Sequence, residues 1–191
     1  MTSHESFSHS LVRSKLWLCE QLEQVLDNES IKNPAVNILA SWDSLLAFML
    51  LTRRPKYYGV VNAYDIDSTA TESANKLCDH WLFEYPKVYN HTKDINTLDF
   101  SNTGTESIFI NCSVDQLEGT NWYDVIPDNR LVCFQTTDLP TDTIEWHIKQ
   151  SYVDKSAFTD TYKVRRLIYC DSIDIIYGHL KFKRHMMIGI K

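Results

Sequence analysis

Glycine is scarce in this chain of 191 residues, which contains only five: Gly59, Gly104, Gly119, Gly178 and Gly189. Globular proteins average about 7% glycine. None of the five belongs to a G-x-G-x-x-G or a G-x-x-x-x-G-K-[ST] pattern, which excludes the standard dinucleotide fingerprint and the P-loop. Any nucleotide site in this protein must therefore be built from other residue types.

Signatures of metal sites, membrane spans and secretion are also missing. The five cysteines form no C-x-x-C and the histidines form no H-x-x-x-H pair, so we expect no metal site. Scattered thiols of this kind are typical of buried cysteines in a reducing cytoplasm. The most apolar stretch, 37–51, is shorter than the about 20 residues of a membrane span, and the polar first ten residues lack the order of a signal peptide. We therefore predict a cytoplasmic protein without a membrane segment.

Positive charge is in short supply, because the chain carries a net charge of −6. Residues 60–130 hold twelve Asp and Glu but only four Lys and Arg. Such an acidic centre argues against an extended surface that follows a phosphate backbone, so a small-molecule substrate is favoured. A basic cluster near the C-terminus leaves nucleic acid open as a partner, with ordinary surface charge as the alternative: Lys163, Arg165, Arg166, Lys181, Lys183 and Arg184.

Helical and strand patterns alternate along the chain. The spacing of apolar residues predicts helices over 10–27, 43–53, 69–83 and 122–126 and near residue 157. Short apolar runs predict strands over 35–39, 57–64, 87–91, 107–111, 130–135, 164–169 and 185–190. Ser10 or Ser14 could cap the first helix, and Asn28 could end it.

This alternation predicts a three-layer α/β sandwich around a mostly parallel, Rossmann-like sheet. The last two strands follow one another without a long helix, which indicates a C-terminal antiparallel strand pair joined by a loop over 172–178. We expect one domain over 1–191, with 1–32 as an N-terminal helical extension.

Small and polar residues follow four of the predicted strands. In open parallel sheets, ligands bind beyond the carboxyl ends of the strands. Four segments should meet there: Ala40-Ser41-Trp42-Asp43, Asp65-Ile66-Asp67, Asp94-Ile95-Asn96 and Asn111-Cys112-Ser113-Val114-Asp115. Each also has an ordinary structural interpretation, since Asp and Ser are common in turns and helix caps.

With these segments, residues 33–191 resemble the class I S-adenosylmethionine (SAM)-dependent methyltransferases, whose seven-stranded sheet ends in an antiparallel hairpin. The resemblance implies SAM as cofactor and methyl transfer as the activity. It places Ala40, Ser41 and Trp42 against the methionine part of the cofactor, Asp65 on the ribose hydroxyls and Asp94 on the adenine amino group. It also implies that Ile95 packs on the adenine ring, where Ile66 is a further candidate. From their position after the fourth predicted strand, Asn111 and Ser113 are candidates to line the active site and to bind the cofactor, and Asn111 and Asp115 are candidate catalytic residues.

The chain departs from that family at two motifs. The family usually has a glycine-rich first loop, whereas this chain has Ala-Ser-Trp-Asp, and Ala and Ser tolerate positive φ poorly. The segment Asn-Cys-Ser-Val-Asp-Gln shares only its Asn with the N-P-P-[YF] motif of amino-directed DNA methyltransferases. Two alternatives therefore stay open beside methyl transfer: a binding module that has lost activity, and an enzyme that uses SAM for another reaction.

Overall fold

Seven β-strands form one sheet in the computed structural model, which describes residues 8–81, 88–143 and 147–191. The strands are β1 (Val36–Leu39), β2 (Val61–Asp65), β3 (Val88–Thr92), β4 (Ile108–Asn111), β5 (Leu131–Thr137), β6 (Arg166–Tyr177) and β7 (Leu180–Ile190). Their order across the sheet is β3-β2-β1-β4-β5-β7-β6. β1 to β5 pair in parallel, whereas β7 is antiparallel to both β5 and β6. The predicted fold class is confirmed.

Helices cover both faces of the sheet. The α-helices in the described ranges are α1 (His9–Asn28), α2 (Leu45–Arg53), α3 (Ser68–Trp81), α4 (Asn121–Asp124) and α5 (Lys155–Thr161). Short 3-10 helices span Ile95–Thr97 and Val114–Gln116. The end of the third predicted helix, residues 82 and 83, lies outside the described residues. In the described ranges, no helix combines the length and the apolar character that crossing a membrane requires.

One face of the sheet carries the three long helices, α1 to α3, which we call the helical layer. Its core is mainly aliphatic, because alternate residues of the strands, such as Val36 and Ile38 or Ile108 and Ile110, point toward α1 and α2. Both helices bury leucines at helical spacing, and the burial of these side chains holds the layer on the sheet.

The opposite face carries α4, α5, the 3-10 helices and loops, which we call the aromatic layer. Its core is rich in aromatic side chains: Phe100, Phe109, Trp122, Tyr123, Phe134, Tyr152, Phe158 and Tyr162. The Trp122 ring lies 5.0 Å from the Phe134 ring and 5.2 Å from the Tyr162 ring, centroid to centroid. Large rings thus fill the space that long helices fill on the other side.

The start of α1 differs from the prediction that Ser10 or Ser14 caps it. Ser8 occupies the N-cap position, and both predicted residues lie buried inside the helix. The Ser14 hydroxyl donates to Gln135 Oε1 at 3.1 Å, and Gln135 Nε2 donates to the Ser14 carbonyl at 3.1 Å. This reciprocal pair fixes the first turns of α1 on β5, a contact that no local pattern predicts.

The hairpin at the C-terminus is longer than predicted. Residues 172–177 continue β6 instead of forming a loop, and Tyr177 pairs with Leu180 across a turn at Gly178, whose φ is 57°. The segment alternates in exposure, with Ile175 buried and Asp174 and Ile176 exposed. This period of two is typical of a strand with one covered face. Of the polar residues in the predicted loop, Asp174 is exposed, whereas Ser172 is half-buried and its Oγ lies 2.7 Å from His185 Nδ1.

Candidate functional site

The carboxyl ends of β1, β2 and β3 meet at one edge of the sheet. β1 and β2 pair in parallel up to Leu39 and Tyr64, and the Lys93 amide donates to the Asp65 carbonyl at 2.7 Å just after β3 ends. The predicted segments that begin at Ala40, Asp65 and Asp94 are therefore neighbours. This is the location that parallel α/β sheets use for ligands.

The loop after β1 adopts a conformation that favours glycine although it contains none. Ala40, Trp42 and Ser44 have φ values of 51°, 53° and 59°. Each left-handed residue other than glycine costs about 1–2 kcal/mol. Ser41 donates its amide to the Tyr64 carbonyl at 2.9 Å, and Ser44 Oγ donates to Asn90 Oδ1 at 2.6 Å. These bonds to β2 and β3 hold the loop in this strained shape.

Asp65 joins this loop to the end of β2. Its Oδ2 accepts from the Trp42 amide at 2.7 Å, and its Oδ1 accepts from the Asp67 amide at 3.0 Å. The side chain is half-buried and lines the adjoining cleft. Each carboxylate oxygen has a second lone pair, so Asp65 can accept further hydrogen bonds from a ligand.

The cleft beside Asp65 has two connected parts. The larger, of about 350 Å³, is lined by Ala40, Trp42, Asp65, Ile66, Asp67, Gln116, Leu117 and His147. The smaller, of about 180 Å³, is lined by Ala40, Asp65, Ile66, Lys93, Asp94, Ile95, Asn96 and Leu117. Since both share Ala40, Asp65, Ile66 and Leu117, they form one elongated cleft. Its surface combines carboxylates with apolar side chains.

Asp94 and Ile95 lie at the narrower end of the cleft. Asp94 Oδ1 accepts from the amide and from the side-chain Nδ2 of Asn96, both at 2.9 Å, and so caps the 3-10 helix Ile95–Thr97. Ile95 is buried against the aromatic layer, whereas Ile66 on the opposite segment is 72% exposed. An exposed isoleucine at a cleft leaves apolar surface that a flat ligand could cover.

The first residues after β4, up to Asp115, do not line this cleft. Asn111 is completely buried, and its Oδ1 accepts from the Ser113 amide at 2.9 Å. Its Nδ2 has no hydrogen-bond partner among the described residues. Ser113 and Asp115 instead line a smaller pocket of about 30 Å³, together with Leu11, Ser14, Lys15, Trp42, Cys112, Gln116 and Arg184. Trp42 and Gln116 line both spaces, so the two adjoin at these residues.

Asp115 forms a buried ion pair with a residue of β7. Its Oδ1 accepts from Arg184 Nη1 at 3.0 Å, and Arg184 Nη2 donates to the Cys112 carbonyl. Burial raises the pKa of the Asp115 carboxyl, while the positive charges of Arg184 and Lys15 act in the opposite direction. Since this carboxylate is engaged by Arg184, its geometry favours a positioning role over that of a general base.

The structure thus brings together most of the predicted site residues but in two groups. Ala40, Trp42, Asp65, Ile66, Asp94 and Ile95 line the cleft, whereas Ser113 and Asp115 line the smaller pocket. Ser41 and Asn111 are buried beside them and line neither space. Their roles toward a ligand stay predictions.

Sequence reasoning missed several residues that line these spaces: Lys93, Gln116, Leu117, His147 and Arg184. Gln116 and Leu117 directly follow the predicted Asp115 segment, so their position was the available signal. Arg184 is different, because it was assigned to a surface cluster but is only 7% exposed. In the described part of the chain, no group of three or more His, Cys, Asp or Glu could hold a metal ion.

Comparison with known proteins places the fold. No protein-family model matches the sequence, and no curated protein matches it. Among solved structures, a SAM-dependent methyltransferase from Clostridium acetobutylicum superposes with a TM-score of 0.66 at 10% identity, over 98% of this chain and 99% of that one. Magnesium protoporphyrin IX methyltransferase from Synechocystis PCC 6803 with bound SAM gives a TM-score of 0.62 at 10% identity, over 94% and 81%. At this identity the likeness establishes a class I methyltransferase-like fold.

Proposed function

We propose that this chain, which has a class I methyltransferase-like fold, binds SAM in the elongated cleft and transfers its methyl group to a small molecule. The observation that carries the proposal is the position of Asp65. Its carboxylate lines a cleft at the carboxyl ends of parallel strands, beside the loop that follows β1. SAM-dependent methyltransferases among the structural neighbours have this fold and were crystallised with SAM or S-adenosylhomocysteine.

The residues around the cleft fit the chemical groups of SAM. Two hydroxyls of a ribose need an acceptor, and the Asp65 oxygens keep lone pairs for them. Asp94 offers an acceptor for the adenine amino group, and Ile66 and Ile95 offer apolar surface for the ring. The larger part of the cleft, about 350 Å³, is within the size of about 300–1,000 Å³ that is usual for small-molecule pockets.

The first loop and the charge of the cleft also suit this cofactor. SAM supplies a methyl group on a positively charged sulfonium. The cleft walls contain the carboxylates Asp65, Asp67 and Asp94 and one lysine, Lys93. An excess of negative charge in a partly desolvated cleft favours a cationic ligand. The left-handed backbone at Ala40 and Trp42 gives the loop a shape that glycine would otherwise supply.

Two observations support a small-molecule substrate over nucleic acid. In the C-terminal basic cluster Arg184 is buried and Arg166 pairs with Glu29 at 2.5 Å, so the cluster presents fewer unpaired positive charges than the sequence suggests, although Lys163, Arg165, Lys181 and Lys183 are exposed. The space next to the cleft, behind Trp42, is a narrow pocket. The 30 Å³ volume of that pocket holds a few atoms and not a nucleotide base.

A binding module without activity is the competing proposal, and the glycine-poor loop motivates it. If Trp42 filled the cofactor space, that alternative would be preferred. Trp42 instead lines a cleft of about 350 Å³ that Asp65 also lines, which supports a site able to take a ligand. Mass spectrometry of the products separates the remaining alternatives, because methyl transfer yields S-adenosylhomocysteine whereas other SAM reactions yield different fragments.

The test is isothermal titration of SAM and S-adenosylhomocysteine into the wild type and into Asp65→Ala. We expect both compounds to bind the wild type and Asp65→Ala to bind at least tenfold more weakly. That loss corresponds to about 1.4 kcal/mol, a usual contribution of charge-assisted hydrogen bonds.

Asp99→Ala is the matched control for this test. Asp99 Oδ1 accepts from the Ser101 amide at 2.8 Å, the same two-residue contact that Asp65 makes with Asp67, but Asp99 lies outside the cleft. Asp99→Ala should bind like the wild type. A folded wild-type protein that binds neither compound contradicts the proposal, and equal binding by Asp65→Ala shows that the cofactor site is elsewhere.

A further inference from the structure

The small pocket behind Trp42 has a charge opposite to that of the cleft. Its charged lining residues are Lys15 from α1, Asp115 after β4 and Arg184 from β7. Because Asp115 and Arg184 neutralise each other in their ion pair, the positive charge of Lys15 is left over. A neighbouring cleft rich in carboxylates and a pocket with surplus positive charge select different ligands.

Arg184 also carries a buried donor that has no partner. Two of its nitrogens are engaged, Nη1 by Asp115 and Nη2 by the Cys112 carbonyl. Its Nε has no hydrogen-bond partner among the described residues, although the side chain is only 7% exposed. A buried donor without a partner is unfavourable, and it leaves part of the guanidinium charge without a hydrogen bond to compensate it.

The position of Lys15 is fixed by the surroundings of α1. Ser14, the preceding residue, is held on β5 by its two hydrogen bonds with Gln135. Lys15 is close enough to Asp115 for its charge to act on that carboxyl. Lys15 from α1 and Arg184 from β7 both line the pocket, and Leu11 and Trp42 add apolar walls.

From these contacts we infer that the pocket binds the carboxylate group of the substrate, between Lys15 and Arg184. Its volume of about 30 Å³ holds about two water-sized groups, which suits the two oxygens of a carboxylate. The pocket shares Trp42 and Gln116 with the cleft, so a carboxylate bound there lies next to the proposed cofactor. That this carboxylate belongs to the methyl-accepting substrate rests on the proposed function, but binding of a carboxylate in the pocket does not require SAM.

The test uses hexanoate as a probe and hexanamide as its uncharged counterpart, titrated by NMR into the isotope-labelled full chain without cofactor. We expect hexanoate to shift the resonances of α1 and of the segment after β4, and hexanamide to bind at least tenfold more weakly. Lys15→Met keeps the aliphatic stem but removes the charge, and it should weaken hexanoate at least tenfold. Lys15 is substituted in preference to Arg184, because removing Arg184 would break the buried ion pair with Asp115 and could unfold the chain.

Arg13→Met is the matched control, because it removes a positive charge from the same helix at an exposed position that does not line the pocket. It should bind hexanoate like the wild type. Equal binding of hexanoate and hexanamide, an unchanged affinity in Lys15→Met, or an equal loss in Arg13→Met each overturns the inference. Titration with S-adenosylhomocysteine distinguishes the two proposals. A protein that binds S-adenosylhomocysteine but not hexanoate refutes only the carboxylate pocket. A protein that binds hexanoate but not S-adenosylhomocysteine refutes only the cofactor proposal.

Discussion

The two faces of the sheet are covered by different means. On the helical layer, regular helices satisfy their own backbone and bury leucines at helical spacing. On the aromatic layer, short helices and loops are held by side chains that bond to the main chain. Tyr123 Oη donates to the Lys163 carbonyl at 2.6 Å, and Gln150 Nε2 donates to the Val114 carbonyl at 2.8 Å.

This difference shows where polar atoms are indispensable. A loop packed on a core has backbone groups that no helix pairs, so side-chain hydroxyls and amides must pair with them. A helix has no such need in its interior. Removing a polar atom should therefore cost stability on the aromatic layer and little on the helical layer, and the following predictions test this contrast in order of decreasing effect.

Two buried tyrosines allow the most direct comparison. Tyr162 Oη on the aromatic layer accepts from Gln150 Nε2 at 3.0 Å, whereas Tyr58 Oη on the helical layer has no partner among the described residues. Tyr162→Phe should lose about 1 kcal/mol of unfolding free energy, and Tyr58→Phe should gain up to about 1 kcal/mol. Urea denaturation of both variants measures this. Equal changes in the two would refute the contrast between the layers.

Acid sensitivity should arise from the aromatic layer. The buried thiols of the helical layer do not titrate near neutrality, since burial raises the pKa of Cys19 to about 12. On the other face His185 is buried, with Nδ1 at 2.7 Å from Ser172 Oγ and Nε2 at 3.0 Å from the Tyr152 carbonyl. Since a carbonyl only accepts, Nε2 carries the proton. Burial lowers the pKa of His185 below its usual value.

Because the pKa of His185 is lower in the folded chain than in the unfolded chain, acid should destabilise the fold. Between the lowered pKa and about 6.5, the unfolded chain holds a proton on His185 that the folded chain does not. Stability is therefore fully present above about pH 6.5 and falls as the pH decreases, by at most about 1.4 kcal/mol per pH unit for this group. Denaturation of the wild type and of His185→Gln between pH 7 and 5 should show a shallower slope in the variant. Identical slopes would contradict a contribution from His185.

The smallest expected effect concerns the loop between β1 and α2, where two alanines can be compared. Ala40→Gly should raise stability by about 0.5–1 kcal/mol, because relief of the left-handed strain at φ 51° exceeds the added entropy of the unfolded chain. Ala47→Gly in the middle of α2 should lower it by about 0.5–1 kcal/mol. Thermal unfolding of both variants checks the opposite signs. A loss in Ala40→Gly would mean that the strain is absent in solution.

Elements with strong periodicity were predictable, and those fixed by distant partners were not. The end of β2 was predicted to within one residue, at Tyr64 where the strand ends at Asp65, since an apolar run followed by an acidic turn is a local pattern. Its predicted start at residue 57 was wrong, because Tyr57 and Tyr58 pack on the helical layer from a turn and not from a strand. Aromatic residues favour strands, but here tertiary packing decided.

The candidate site shows the same division. The segments after β1, β2 and β3 were predicted to converge, because parallel strands end at one edge of a sheet. The placement of Asp115 could not be predicted, since its partner Arg184 is 69 residues away. The positive φ values of Ala40, Trp42 and Ser44 are also unfavourable for residues other than glycine. Hydrogen bonds from this loop to β2 and β3 hold them in place, and such distant partners cannot be predicted from the local sequence.

By itself the sequence determined the layered α/β architecture, the polar ends of the strands and the acidic centre of this protein. These properties depend on composition and on short-range periodicity, which act between residues close in the chain. Only the tertiary structure decided that Arg184 is buried, that Lys15 and Asp115 line the same pocket and that a glycine-poor loop takes a glycine-like shape. Those features depend on the joint burial of groups far apart in sequence, where desolvation and the pairing of polar atoms outweigh local preference.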